Sequence, residues 1–141
     1  RNMYNIEEYD KQKTKILKYI IYKKRTEQEI RTKFKSTVDE NVLEDIIEYF
    51  KEAGYINDYE FIEKQVNEYM VLKTMSIKEI RYKLYSKGLD KRLIEKYIDE
   101  NYDQLKEYEL KCIEKIKTKK AQTMEEQEIK QYLYRKGYQS E

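Results

Sequence analysis

The residue types that carry most enzymatic chemistry are nearly absent from this chain. It has no His and one cysteine, Cys112. The imidazole and thiolate sets that bind zinc, a His-dependent triad and an intrachain disulfide therefore cannot be assembled. Carboxylates are plentiful, but groups such as Glu125, Glu126 and Glu128 are too common in acidic helices to indicate acid–base work, which needs a dry pocket to shift one pKa. No glycine-rich loop offers a phosphate cradle. No catalytic residue, cofactor or metal ligand is expected. What remains is the chemistry of cations and aromatic rings. Tyr82, Tyr85, Tyr132 and Tyr134 interleave with Lys83, Lys87, Arg135 and Lys136. Such cations neutralise phosphates while tyrosine faces stack on bases, although aromatics at helical spacing also serve as packing residues. A second basic run, Lys115, Lys117, Lys119 and Lys120, falls at the end of a predicted helix, where phosphate contact and a simple macrodipole interaction are both open readings. Cys112, beside Ile113 and Ile116, reads as a small buried hydrophobe.

The scaffold that must position these groups is helical. Across 141 residues there is no Pro, only 3 Gly, and 41% Asp, Glu, Lys or Arg, so little interrupts helices and little would punctuate a sheet. The fold class expected is all-α. Cores should be thin, with the 16 Tyr burying their rings while keeping their hydroxyls wet. The lack of disulfides fits a reducing interior, and no apolar run approaches the ~20 residues of a membrane span, so a cytoplasmic chain without membrane association is expected. It opens on Arg1 with no signal-peptide pattern, which reads as an excised piece of a longer protein.

A degenerate repeat of about 49 residues organises the chain. Residues 74–89, TMSIKEIRYKLYSKGL, match residues 123–138, TMEEQEIKQYLYRKGY, and residues 26–36, TEQEIRTKFKS, align with residues 76–86. Thr26 with Glu29, and Ser76 with Glu79, fit the capping box that opens a helix. Gly88 and Gly137 sit where that helix must stop. Asp39 and Asp90 then cap third helices with apolar pairs at Val42/Leu43 and Ile46/Ile47, and at Leu93/Ile94 and Tyr97/Ile98. Gly54 ends the first of these, and Asp58 starts the next unit. The reading is an elongated, curved array of tandem three-helix repeats over residues 1–56, 57–102 and 103–141. Predicted helices lie near 8–24, 26–36 and 39–53, then 58–73, 76–87 and 90–101, then 103–120 and 124–136. The last repeat is incomplete, ending where its third helix should start, so a frayed end or a covering partner is expected there.

Charge comes in blocks. Net charge is +6 over residues 1–38, −8 over 39–70, +5 over 71–96, −4 over 97–110 and +3 over 111–141. Blocks of opposite sign can simply pair between units or form solvated faces. Their recurrence at one place in each copy instead predicts a basic stripe able to follow a polyanion, with acidic third helices turned to a protein partner or to neighbouring units.

The stretch Arg25-Thr26-x-x-Glu29-Ile30-Arg31-x-Lys33-Phe34, followed by Gly54-Tyr55-Ile56-Asn57-Asp58-x-x-Phe61, resembles the arginine-serine/threonine-x-x-glutamate-leucine and glycine-tyrosine-leucine-aspartate-aspartate-x-x-phenylalanine signatures of the RecX family. Ile80-Arg81-x-Lys83-Leu84-x-x-Lys87-Gly88-Leu89 is similar to that family's helix ending in lysine-glycine-isoleucine. The resemblance runs from about Ile16 to Tyr138. It implies tandem three-helix repeats and a non-enzymatic regulator that lies in the groove of the RecA filament on single-stranded DNA, inhibiting RecA in recombination, DNA repair and the SOS response. One departure is Ser36-Thr37-Val38, where the pattern has lysine-glycine before an apolar residue, so the turn between the second and third helices is one residue short.

The partners expected are thus the RecA filament and single-stranded DNA, bound by a monomer through Lys24, Arg25, Arg31, Lys33, Arg81, Lys83, Lys87, Arg135 and Lys136. Two other readings stand beside it: a helix-turn-helix-like reader of duplex DNA, and a helical protein-interaction adaptor.

Overall fold

A computed structural model describes residues 5–138. These residues form eight helices and no strand: α1 Ile6–Tyr22, α2 Glu27–Phe34, α3 Glu40–Glu52, α4 Asp58–Leu72, α5 Ile77–Tyr85, α6 Lys91–Glu100, α7 Tyr102–Lys120 and α8 Glu126–Lys136. The predicted helices are all present, each within a few residues of its expected bounds. The expectation of a frayed end falls on residues 139–141, outside those described.

Helix starts follow their caps. Thr26 Oγ1 accepts from the Glu29 amide at 3.0 Å while the Glu29 carboxylate accepts from the Thr26 amide at 2.9 Å. Ser76 and Glu79 repeat this box, both bonds at 3.0 Å. The Asp39 carboxylate accepts from the Asn41 and Val42 amides and that of Asp90 from the Arg92 amide. At α4 the cap is Asn57, whose side-chain carbonyl accepts from the Glu60 amide at 3.0 Å. Asp58 is the first residue of α4, as expected, and its side chain serves a second helix. Its carboxylate accepts the Glu27 amide of α2 at 3.0 Å.

The chain divides into two compact units, residues 1–61 and 62–141. In the first, α1, α2 and α3 close on Ile16, Ile20, Ile30, Phe34, Val38, Val42, Leu43, Ile46, Ile47, Phe50 and Ile56. Burying each such aliphatic side chain contributes about 1.5–3 kcal/mol. The short turn after α2 is closed by bonds from the Thr37 and Val38 amides to the Phe34 carbonyl, which brings Val38 into this core. In the second unit, Ile80, Leu84, Ile94, Tyr97, Ile98 and Leu105 are fully enclosed. Cys112, Ile113, Ile129, Leu133 and Tyr138 form a further cluster beneath Tyr108, Ile116, Met124 and Tyr132. Cys112 is buried there with a free thiol.

The beginning of α5 is the most heavily tied point of the second unit. Ser76 is fully buried and its hydroxyl donates to the Lys136 carbonyl at 2.7 Å. The Tyr108 hydroxyl donates to the Lys73 carbonyl at 2.7 Å and accepts from the Met75 amide at 3.0 Å. Glu109, also fully buried, accepts the Ile77 amide at 3.0 Å and pairs with Lys106 at 3.1 Å. Asp58 to Glu27 and Glu109 to Ile77 are equivalent contacts one repeat apart: a carboxylate from the following repeat's first helix holds the first amide of the second helix.

Glu109→Ala removes the acceptor of a buried amide and should lower stability by about 1–3 kcal/mol in urea unfolding. Asp58→Ala, at a half-buried site, should cost less. Gly54 and Gly137 both have positive φ, +87° and +92°, but a Cβ at 54 meets open space while one at 137 would lie 2.9 Å from Lys78 Cβ. Gly137→Ala should therefore depress the melting temperature clearly more than Gly54→Ala, since both share the backbone strain of about 1–2 kcal/mol and only one adds a collision.

Candidate nucleic-acid interface

The nine sequence-predicted contact residues divide by what holds them. In the first unit, Lys24 and Arg25 lie between α1 and α2, and Arg31 and Lys33 lie on α2. The Arg25 guanidinium stacks 3.8 Å from the Tyr19 ring centroid, and its Nε donates to the Tyr19 carbonyl at 3.3 Å. Lys33 Nζ sits 5.6 Å from the same ring. Arg25 and Lys33 thus converge on one tyrosine, whose edge is packed on Phe34 at 5.5 Å. Lys24 pairs with Glu60 at 2.7 Å.

Arg31 is held differently. Its Nε and a terminal nitrogen donate to the two carboxylate oxygens of Glu44 on α3, both at 2.8 Å, and its other terminal nitrogen reaches Glu27 at 2.7 Å. The hydrogen bond to Glu44, aided by Glu27, raises the Arg31 pKa against the lowering by burial, and the same bond holds Glu44 below the usual glutamate value.

In the second unit Arg81 repeats this, with Nε 2.8 Å from Glu95 on α6. Tyr85 also donates its hydroxyl to Glu95. Burial works against the Glu95 charge, yet the bonds from Arg81 and Tyr85 outweigh it and the pKa is lowered. The sequence separation is 13 residues for Arg31 and Glu44 but 14 for Arg81 and Glu95. The one-residue shortening is therefore absorbed within the turn, and the clasp between second and third helix survives. Glu44 and Glu95 thus turn inward to their own repeat, whereas the charge pattern predicted third helices facing a partner or neighbouring units.

Lys83 and Lys87 on and just after α5 are exposed and form no ion pair among the described residues. Tyr82 of the same helix, 57% exposed, packs edge-on against Tyr85 at 5.8 Å. On α8, Tyr134 is 83% exposed, Arg135 lies 5.9 Å from the Tyr132 ring, and Lys136 bridges to Glu79 at 2.9 Å. Lys24, Arg31, Arg81 and Lys136 are therefore engaged by carboxylates, while Arg25, Lys33, Lys83, Lys87 and Arg135 keep no carboxylate partner among the described residues.

Sequence reasoning left Lys115, Lys119 and Lys120 outside the site. They line one cleft with Lys136, and their spacing of four and five residues along α7 was the available signal. No cluster of His, Cys, Asp or Glu among the described residues could hold a metal, and no helix among them is long and apolar enough to cross a membrane.

Helices packed as tandem repeats, with basic residues on the second helices, define an all-α helical-repeat protein. Known proteins share this architecture. The chain is 35% identical over 149 residues to the regulatory protein RecX of Staphylococcus epidermidis, covering 99% of this chain and 55% of that protein. It is 30% identical over 138 residues to the regulatory protein RecX of Clostridioides difficile, covering 94% and 64%. The crystal structure of RecX from Lactobacillus salivarius matches with a TM-score of 0.79 at 26% identity, over 96% of this chain and 91% of that one. No protein-family model matches the chain. The chain belongs to the RecX family, and it spans little more than half the length of the curated relatives it matches.

The lowered Glu44 and Glu95 values stabilise the fold above the ordinary glutamate pKa of 4.5 and that contribution is lost as pH falls. Burial raises the Asp58 pKa, outweighing the Glu27 amide bond, so its effect runs the other way, present at low pH and lost as pH rises through the folded value. Between about pH 6 and 3, Glu95→Gln should flatten the acid-side loss of melting temperature seen in the unsubstituted chain, whereas Asp58→Asn should steepen it.

Proposed function

We propose that this chain is a non-enzymatic regulator of the RecA recombinase that engages the RecA filament on single-stranded DNA and inhibits it. The reading sets it in the cytoplasm, acting as a monomer on recombination and DNA repair, with its three sequence repeats, 1–56, 57–102 and 103–141, as successive contact modules. What carries the reading, beyond the family's regulatory role, is the division among the basic residues. Arg31 and Arg81 serve as clasps between helices, and Lys24 and Lys136 are engaged by Glu60 and Glu79. Arg25 with Lys33 around Tyr19, and Arg135 by Tyr132, retain cations next to aromatic rings, and Lys83 and Lys87 share α5 and its end with the exposed Tyr82, the combination that grips phosphates and stacks on unpaired bases. Of the nine predicted contacts, these five are the ones we assign to direct binding, and the four paired ones support them.

Titrating the chain into RecA hydrolysing ATP on single-stranded DNA should suppress hydrolysis. Lys83→Glu with Lys87→Glu should raise the concentration needed by about tenfold with helicity intact, because reversing two cations at a polyanion removes two attractive contacts and adds repulsion. Absence of inhibition by the unsubstituted chain overturns the reading. Unchanged inhibition by the variant rejects those two positions.

A further inference from the structure

Helix α8 is lightly fastened along its length. Of its side chains only Ile129 and Leu133 are buried, whereas the shorter α6 buries Ile94, Tyr97 and Ile98. It packs chiefly on α7. Together they close a cluster of Cys112, Ile113, Ile129, Leu133 and Tyr138, which does not include Ile80, Leu84, Ile94 or Ile98. The start of α8, residues 125–128, is exposed, and Glu125 takes the cap position that Thr26 and Ser76 hold on α2 and α5. Asp58 and Glu109 tie the first amides of α2 and α5 from another helix. Among the described residues, no such carboxylate reaches the first amides of α8.

The far end is where α8 is caught. The Lys136 carbonyl accepts from the Ser76 hydroxyl at 2.7 Å, and the Lys136 ammonium reaches Glu79 at 2.9 Å. Gly137 lies so close to α5 that a Cβ there would come within 2.9 Å of Lys78 Cβ. Tyr138 then enters the cluster, and its hydroxyl is enclosed with no hydrogen-bond partner among the described residues. A buried hydroxyl left unpaired is costly. That cost is recovered whenever the end of α8 lifts and the hydroxyl meets water. The closed position is thus held by a few polar bonds at one point and opposed by a group that closing buries. The link before α8, Ala121, Gln122 and Thr123, is exposed and can serve as the hinge.

We propose that α8 is a strap that swings on the turn after α7 and opens as a unit while α5 and α6 stay folded, closing again through the catch at Ser76. Elements with few buried contacts are the ones that open below the threshold of global unfolding. Opening lifts Ile129, Leu133 and Tyr138 from Cys112 and Ile113, so an apolar strip of α7 is reachable in the open position and hidden in the closed one. The strap is a property of the second unit alone and is independent of whether the chain regulates RecA.

Cys112, the chain's one thiol and 4% exposed, reports the motion directly. The test is its labelling in the full chain by an aromatic disulfide reagent, at urea concentrations below the unfolding transition, with amide exchange followed by mass spectrometry in parallel. Labelling and α8 exchange should share one opening nearly insensitive to urea, while α6 amides exchange only through larger, urea-dependent openings. Tyr138→Phe should slow labelling by about fivefold, because closing then leaves no hydroxyl unpaired. Gly137→Ala should speed labelling and α8 exchange together by about tenfold, the factor expected of a left-handed alanine, and leave α6 exchange unchanged. Lys136→Met, which loses only the exposed bridge to Glu79 and so cannot fail to fold, should speed both by about twofold. Gly54→Ala carries the same backbone strain in the first unit and should leave labelling unchanged. The proposal fails if Cys112 and α8 open only together with α6 and with its urea dependence, if Gly137→Ala accelerates α6 as much as α8, or if Tyr138→Phe speeds labelling.

Discussion

The structure depends on keeping the buried starts of the second helices saturated with hydrogen-bond acceptors. Thr26 and Ser76 are almost wholly enclosed, so the free amides of α2 and α5 cannot turn to water. Each is met twice over, by a capping box within the helix and by a carboxylate from the next repeat's first helix, Asp58 or Glu109. The first device belongs to one helix, but the second ties separate parts of the sequence together. At α5 the arrangement is denser still, because the Ser76 hydroxyl donates a hydrogen bond to the carbonyl of Lys136 and Gly137 leaves room for that approach. The apolar cores are small, and such bonds give the repeats a defined register that a few isoleucines and tyrosines alone would specify poorly.

Electrostatics inside the repeats follow from the same economy. A chain with 30 basic and 28 acidic groups must dispose of many charges near thin cores. It does so by giving certain arginines internal duties. Arg31 and Arg81 fasten the second helix to the third through planar, directional contacts suited to guanidinium and carboxylate. Lysines, which lack that geometry, are left largely outside. Arg31 and Arg81 thus hold the fold, while Lys33, Lys83 and Lys87 are left to present a cationic surface.

Much of the fold was legible because its signals are local. Thr26, Ser76, Asp39 and Asp90 cap the helices they were expected to cap, and Gly54, Gly88 and Gly137 take the left-handed conformation. What escaped reading was every long-range use of a charge. Asp58 was legible as the start of α4 but not as the acceptor for α2, and Glu109 looked like one acid among many and is fully buried. The pairing of Arg31 with Glu44 is invisible to a pattern that weighs net charge by segment. The lysine cleft was half visible: the run along α7 was plain, but its meeting with Lys136 and Tyr138 requires the angle between α7 and α8, which packing alone decides.

The clasp that closes over turns of unequal length means that the meeting of second and third helix does not hang on the exact length of the loop between them. Because the guanidinium and its carboxylate are fixed on helices, a one-residue change of length between Phe34 and Asp39 is absorbed as long as Val38 still reaches the core and Asp39 still caps α3. Linkers or reporter peptides spliced into the exposed part of this corner, Lys35 to Thr37, should therefore leave the bundle intact while that anchor is kept.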